Sequence, residues 1–191
     1  MPLLNLTELR AIQNRIADGD QRALKALYDH YSNKLLQLAY AIVRSKEVAE
    51  EVVEDVFIQV WRRRDRIGSV ENFSFYLYVM AKNMSRSYLR KYSRKRHLDL
   101  EEVAQPYYRI DITPEDLMIT RETLMRINNA INELPSQCRL IFKLVKEDGL
   151  KYREVAELLQ LTQKTVENQM GIALKKIHST LAFYLPRPSS R

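Results

Sequence analysis

Apolar residues recur at three- and four-residue spacing along most of this chain, the period of an amphipathic helix. Residues 7–18 form a short segment of this kind, ended by Gly19. Residues 21–43 carry Leu24, Leu27, Tyr28, Tyr31, Leu35, Leu38 and Ile42 at helical spacing, and residues 48–64 continue through Val52, Val56, Val60 and Trp61. Gly68-Ser69 marks a loop, after which residues 72–92 turn Leu77, Met80, Ala81, Met84 and Tyr88 to one side. Three long helices with such stripes predict a bundle. The period then fails from about residue 93 to 113, where acids dominate and Pro106 and Pro114 interrupt, as in a linker. A second bundle is expected from Pro114-Glu115 through Leu117, Leu124, Ile127 and Ile131, with Pro135 opening a helix that carries Leu140, Phe142, Leu144 and Val145.

Residues 148–176 are the most informative stretch. Asp148-Gly149 ends one helix, glycine suiting the left-handed residue found there. Residues 152–159 then read as a short helix with Val155, Ala156 and Leu159 inward. Thr162 stands where an N-cap belongs, and a second helix from Gln163 buries Val166, Met170, Ala173 and Ile177. Two short helices joined by a tight turn form a helix-turn-helix. The outer face of the second carries Gln163, Lys164, Glu167 and Asn168, polar groups able to read base edges; a helical hairpin with an ordinary solvated face is the plainer alternative.

No alternating Val/Ile/Thr run bounded by turn signals occurs, and four glycines and six prolines in 191 residues suit helices. The expected class is all-α: two small helical bundles joined by a flexible acidic linker, the second containing the helix-turn-helix. The expected divisions are an N-terminal helix at 1–20, a first domain at 21–96, the linker at 97–116, a second domain at 117–185 and a disordered tail at 186–191. The apolar runs are too short to span a bilayer and no export signal is apparent, so a cytoplasmic protein is expected. Cys138 is the only cysteine, which excludes an internal disulfide and a cysteine-rich zinc site, and it is expected to be buried beside Ile141 and Phe142.

Charge layout says more than the net +7. Residues 62–96 hold 11 Lys/Arg against 2 Asp/Glu, residues 97–119 hold 1 against 6, and residues 120–191 hold 12 against 7. Two basic blocks around an acidic one predict two nucleic-acid contacts separated by a spacer. In the first block Phe73, Phe75, Tyr76, Tyr78, Tyr88 and Tyr92 interleave with Lys82, Arg86, Arg90, Lys91, Arg94, Lys95 and Arg96. Cations neutralise phosphates while aromatic faces receive unstacked bases, the two ingredients of single-strand binding; alternatively some of these rings are core and only the cations face nucleic acid. A base pocket is expected at the loop 64–75 with Asn83. The preceding helix packs Glu47, Glu50, Glu51, Glu54 and Asp55 together, a face that suits a basic protein surface.

These features together resemble the extracytoplasmic-function sigma factors, the small two-domain branch of the sigma-70 family that directs bacterial RNA polymerase to promoters. The resemblance rests on ALKALYDHY at 23–31, VAEEVVEDVFIQVW at 48–61, FSFYLYVMAKNMSRSYLR at 73–90, and residues 134–176. It implies that Glu51, Glu54, Asp55 and Gln59 dock on the clamp helices of the largest core polymerase subunit, with the polymerase flap as a further contact. It implies that Arg64, Arg66, Asn72, Phe73, Lys82, Asn83, Arg86 and Arg90 melt and read the minus-10 promoter element. Thr162, Gln163, Lys164, Thr165, Glu167, Asn168 and Lys175 would read the minus-35 element in duplex DNA, and the acidic linker would thread toward the active-site cleft. The stretch 142–170 further resembles the branch controlled by membrane-anchored anti-sigma factors. No cofactor, metal, small-molecule substrate or enzymatic activity is implied.

The chain departs from the family pattern at three positions. Tyr76 stands where Trp is common, Ser87 where Asp is common, and Glu167 where many members have Lys or Arg. Two other classes compete. An autonomous helix-turn-helix regulator would need a dimer surface and leaves the acidic and aromatic helices unexplained. A nucleic-acid enzyme finds no support, since His30, His97 and His178 lie in separate segments and no glycine-rich phosphate loop occurs.

Overall fold

The computed structural model describes residues 6–93 and 121–182, which form nine α-helices in two compact units and, among the described residues, no strand. The linker, the tail, the cations at 94–96 and the expected helix start around Pro114 and Leu117 lie outside the described residues, as do the side chains of Tyr92 and Leu124.

The first unit contains α1 (Leu6–Ala17), α2 (Gln21–Val43), α3 (Lys46–Arg62), α4 (Arg64–Ile67) and α5 (Phe73–Ser93). Gly19, at φ +85, turns the chain out of α1. Asp20 then caps α2, accepting from the backbone amides of Arg22 and Ala23 at 2.8 and 3.3 Å and from the Arg15 guanidinium at 2.6 Å. Ser45 caps α3 by accepting from the Val48 amide at 3.3 Å. Leu27, Leu35, Leu38, Val52, Val56, Val60, Leu77 and Ala81 are buried where α2, α3 and α5 pack together, each large side chain contributing about 1.5–3 kcal/mol. Ala39, Ala49 and Val52 form a cluster of small side chains over which Met84 and Tyr88 fold. His30 is half-buried on α2 and accepts from Lys34 Nζ at 3.2 Å; burial first, and then the Lys34 charge, lowers its pKa to about 4.

Two expectations for this unit are corrected. The helix predicted to run to residue 64 stops at Arg62: residues 62–66 are all charged and offer no apolar anchor, so the chain breaks at Arg63 and a separate turn, α4, buries Ile67 instead. Tyr28, expected in the core stripe, is 43% exposed, its ring lying 4.9 Å from that of Phe57 at the rim of the bundle.

The second unit contains α6 (Arg121–Asn132), α7 (Ser136–Lys146), α8 (Tyr152–Leu159) and α9 (Gln163–Ala182). Ile131, Leu134, Ile141, Leu144, Leu150, Val155, Leu158, Val166, Met170, Ala173 and Ile177 make its core. Leu158 is fully covered and the predicted Leu159 only half so, because the eight-residue α8 meets its neighbours on a narrow face. Gly149, at φ +72, closes α7, and the Leu150 amide returns to the Leu144 carbonyl at 2.9 Å. Cys138 is buried, as expected, and its thiol donates to the Gln169 carbonyl at 3.2 Å. Sequence pattern gave no warning of Lys143, which is 5% exposed. Burial holds its pKa below the usual amine value, opposed by Glu147 3.9 Å away. No described helix is long and apolar enough to cross a membrane.

Candidate nucleic-acid interface

Three faces of distinct chemistry emerge on these helices. On α3, Glu47, Glu51, Glu54, Ile58 and Arg62 recur at three- and four-residue spacing, opposite the buried Ala49, Val52, Val56 and Val60. Glu51 and Glu54 are exposed, whereas Asp55 and Gln59 are half-buried on the flank of this face. The Asp55 carboxylate is already engaged, accepting from the Tyr88 hydroxyl of α5 at 2.8 Å. Glu50 and Glu54 also border a groove of about 340 Å³ walled by Tyr28, Leu36 and Val53 between α2 and α3. Ile58, 46% exposed among the acids, is a surface feature the sequence reading passed over. The signal was its position on the polar face of its own helix. The face thus combines anionic charge with an apolar patch, a composition suited to a basic protein surface rather than to DNA.

The second face spans α4 and α5. Arg64 lies over the Trp61 ring at 5.0 Å and donates to the Trp61 carbonyl at 3.2 Å, which fixes an exposed cation on a rigid base. Arg66 is exposed beside Asp65, 3.9 Å away. Asn72 caps α5, its side-chain oxygen accepting from the Phe75 amide at 3.0 Å. Along α5, Asn83, Arg86 and Arg90 fall in one line opposite the buried Phe73, Leu77 and Ala81, while Lys82 sits on the shoulder. Asn83 and Arg90 are exposed, Lys82 and Arg86 half-buried, and Arg90 donates to the Ser87 hydroxyl at 3.0 Å.

Phe73 is corrected as a direct DNA contact: it is 2% exposed, because the first turn of α5 is anchored to the core through this ring. Tyr78 is likewise covered, so Phe75 and Tyr76 are the half-exposed rings at this end of the helix. The sequence alternative, in which some aromatics are core, holds for Phe73 and Tyr78. The remaining surface still offers a line of cations with flanking rings, which can hold phosphates and stack unpaired bases.

The third face belongs to the helix-turn-helix. Its turn places Gln160 at φ 56, and the Leu161 amide returns to the Ala156 carbonyl at 2.9 Å. Thr162 caps α9 as anticipated, accepting from the Thr165 amide at 3.1 Å, with the two threonine hydroxyls 2.8 Å apart. Thr162, Gln163, Lys164, Asn168 and Lys175 are exposed; Thr165 and Glu167 are half-buried. Lys164, Asn168 and Lys175 share one line opposite the buried stripe. Glu167 stands between two partners, Gln163 Nε2 at 3.3 Å and Lys164 Nζ at 3.4 Å. Its charge is therefore partly offset within the helix, which reduces its repulsion of phosphate and leaves its carboxylate able to accept from a base amine.

The family model of sigma-70 region 2 matches residues 27–95, and that of sigma-70 region 4 matches residues 124–177. The chain is 28% identical to the ECF RNA polymerase sigma factor SigW of Bacillus subtilis (strain 168), over 82% of this chain and 87% of that protein. It is 27% identical to the ECF RNA polymerase sigma-E factor of Escherichia coli (strain K12), over 88% of this chain and 91% of that protein. Among solved structures, the sigma factor RpoE of Bartonella quintana, crystallised with the anti-sigma factor NepR, superposes with a TM-score of 0.51 at 19% identity, covering 84% of this chain and 98% of that one.

Proposed function

This chain belongs to the sigma-70 family, in its extracytoplasmic-function branch, and from that premise we propose how its faces divide the work of a specificity subunit of bacterial RNA polymerase. The protein binds core polymerase and directs it to promoters. Residues 21–96 are assigned to polymerase docking and minus-10 recognition, residues 97–116 to the connecting linker, and residues 117–185 to minus-35 recognition. The segregation of charge carries this reading: an acidic, Ile58-bearing face on α3, a cationic line on α5, and a polar recognition helix at α9.

Glu51, Glu54 and Ile58 dock on a basic surface of the polymerase, the acids steering encounter and the apolar side chain contributing burial. Arg64, Arg66, Lys82, Arg86 and Arg90 hold phosphates around the minus-10 element. Asn72 and Asn83 flank the bases drawn from the stack, with Phe73 supporting this surface from beneath. Opening a duplex costs a few kcal/mol per base, so each base received in a protein pocket lowers the barrier to melting. On α9, Gln163, Lys164, Thr165, Glu167 and Asn168 face base edges in the major groove, where a good bidentate pair discriminates by about 1–3 kcal/mol. Thr162 and Lys175 position the helix on the phosphates.

The reaction is performed by the polymerase, the sigma factor supplying selection, so the protein acts in the cytoplasm. An anti-sigma factor that covers the acidic face or the DNA faces is the expected regulator, consistent with the sequence resemblance to the membrane-anchored-regulator branch.

Run-off transcription with purified core polymerase, this protein and a genomic promoter library tests the assignment. Discrete starts that need both proteins are expected. Tight duplex binding with no polymerase dependence would overturn it in favour of an autonomous helix-turn-helix regulator.

A further inference from the structure

The first helix received no task from the sequence, yet it holds a deeply buried polar side chain: Gln13 is 1% exposed. Its Nε2 donates to the Ile67 carbonyl at 2.5 Å and to the Val70 carbonyl at 2.8 Å. Arg10 Nη1 completes the arrangement, donating to Gln13 Oε1 at 3.0 Å and to the Val70 carbonyl at 2.9 Å. Two residues of α1 thus grip the backbone on one side of the segment between α4 and α5, across a separation of 54 to 60 residues. Inside the segment, the Val70 amide donates to the Ile67 carbonyl at 3.0 Å, and Ser69 closes on the Arg66 carbonyl through both its amide and its hydroxyl. With Ile67 buried and Val70 half-buried toward the core, Ser69, Glu71 and Asn72 are left facing solvent.

We propose that Gln13 and Arg10 are positioning residues for minus-10 recognition: α1 sets the conformation of the 67–72 loop so that its outer side presents a preformed surface to the extruded base. The inference rests on the assignment of this loop to the minus-10 element. Buried carbonyls are costly to leave without donors, so the loop backbone is confined wherever the Gln13 amide can reach both. Confinement before binding removes an ordering cost that would otherwise fall on every promoter encounter. It also fixes which base fits, because a mobile loop would accommodate several. No side chain of α1 needs to touch DNA for this role.

The experiment uses the full chain with core polymerase on a promoter panel carrying single substitutions in either the minus-10 or the minus-35 element. Gln13→Met keeps length and apolar packing but removes the amide that donates to both carbonyls; Arg10→Met removes the two bonds of an exposed side chain, to Gln13 Oε1 and to the Val70 carbonyl, and leaves the core untouched. The expected result for Gln13→Met is about a tenfold loss of discrimination among minus-10 variants, the equivalent of about one hydrogen bond of positioning. Minus-35 discrimination and affinity for core polymerase should remain as in the wild type, and Arg10→Met should shift the minus-10 preference in the same direction by a smaller factor. Should Gln13→Met fail to fold, Arg10→Met alone decides. Unchanged minus-10 preference, or an equal loss at both elements such as general destabilisation produces, overturns the proposal. A wild-type chain that yields no polymerase-dependent starts would instead sink the functional assignment on which it rests, and the two failures are told apart by that control.

Discussion

Removing one oxygen atom, by Tyr88→Phe, asks whether Asp55 serves the fold of the first unit before it serves any partner. The Tyr88 hydroxyl donates to the Asp55 carboxylate at 2.8 Å across the α3–α5 contact, and its ring covers the Ala39, Ala49 and Val52 cluster. A hydrogen bond to a charged acceptor contributes about 1.5–3 kcal/mol when well shielded. Asp55 is half-buried and would regain water in the variant, which brings the expected loss down to about 1 kcal/mol. For a domain of this size that corresponds to a fall in Tm of about 4–8 °C. Trp61 is the sole tryptophan and lies in this unit, so denaturant unfolding followed by its fluorescence reports on this unit directly. Tyr88→Phe, Asp55→Asn and the double variant form a cycle, with an expected coupling of about 1 kcal/mol. Additivity within about 0.3 kcal/mol would refute the reasoning, showing that the two groups do not support each other in solution. The same logic ranks the acidic face: at equal folded fraction, Glu54→Gln should weaken polymerase binding more than Asp55→Asn does.

Three further outcomes are expected. His30 remains neutral in the folded unit down to about pH 4, whereas the unfolded chain takes up its proton near 6.5, so stability is complete above that value and declines as pH falls from 6.5 to 4. Allowing for solvent screening of a half-exposed ring, the decline should reach about 1–2 kcal/mol, and His30→Gln should flatten it; parallel pH profiles for the two proteins would contradict this. Gly149→Ala forces a side chain into the left-handed region at φ +72 and should destabilise the second unit by about 1 kcal/mol, measurable by calorimetry, with no cost if the loop can relax. On α9, Lys175→Gln should weaken minus-35 duplex binding on every sequence alike and lower the salt slope by about one, while Lys164→Gln, which releases Glu167 from its 3.4 Å partner, should alter base preference; binding titrations across salt concentrations distinguish the two.

The helices themselves were legible because their signals are local. Gly19, Asp20, Ser45, Gly149 and Thr162 each punctuate the chain where the structure begins or ends an element, and the stripe of Val166, Met170, Ala173 and Ile177 is buried as its spacing implied. What escaped notice depends on tertiary neighbours. Gln13 reads as an ordinary helical glutamine until Ile67 and Val70 are brought against it from more than fifty residues away. Phe73 has the chemistry of a base-stacking ring, but as the first residue of α5 it is 2% exposed, packed into the core where the helix begins. Lys143 breaks the apolar pattern of its helix without changing its period, so nothing in the pattern separates a snorkelling lysine from a covered one. Tyr28 shows the reverse case, a stripe residue at the margin of the bundle that, among the described residues, no helix closes over.

The solitary thiol of Cys138 has an experimental use. It lies wholly covered in the second unit with its proton directed to the Gln169 carbonyl, and burial raises its pKa, so a thiol-specific reagent can modify it only during excursions in which α7 and α9 separate. Because the chain has no other cysteine, labelling rate is a clock for the opening of that unit alone, running alongside the Trp61 emission that reports the other. The protein thus carries a native probe in each unit, and the lifetimes of the two can be compared without any engineered label, alone or on the polymerase.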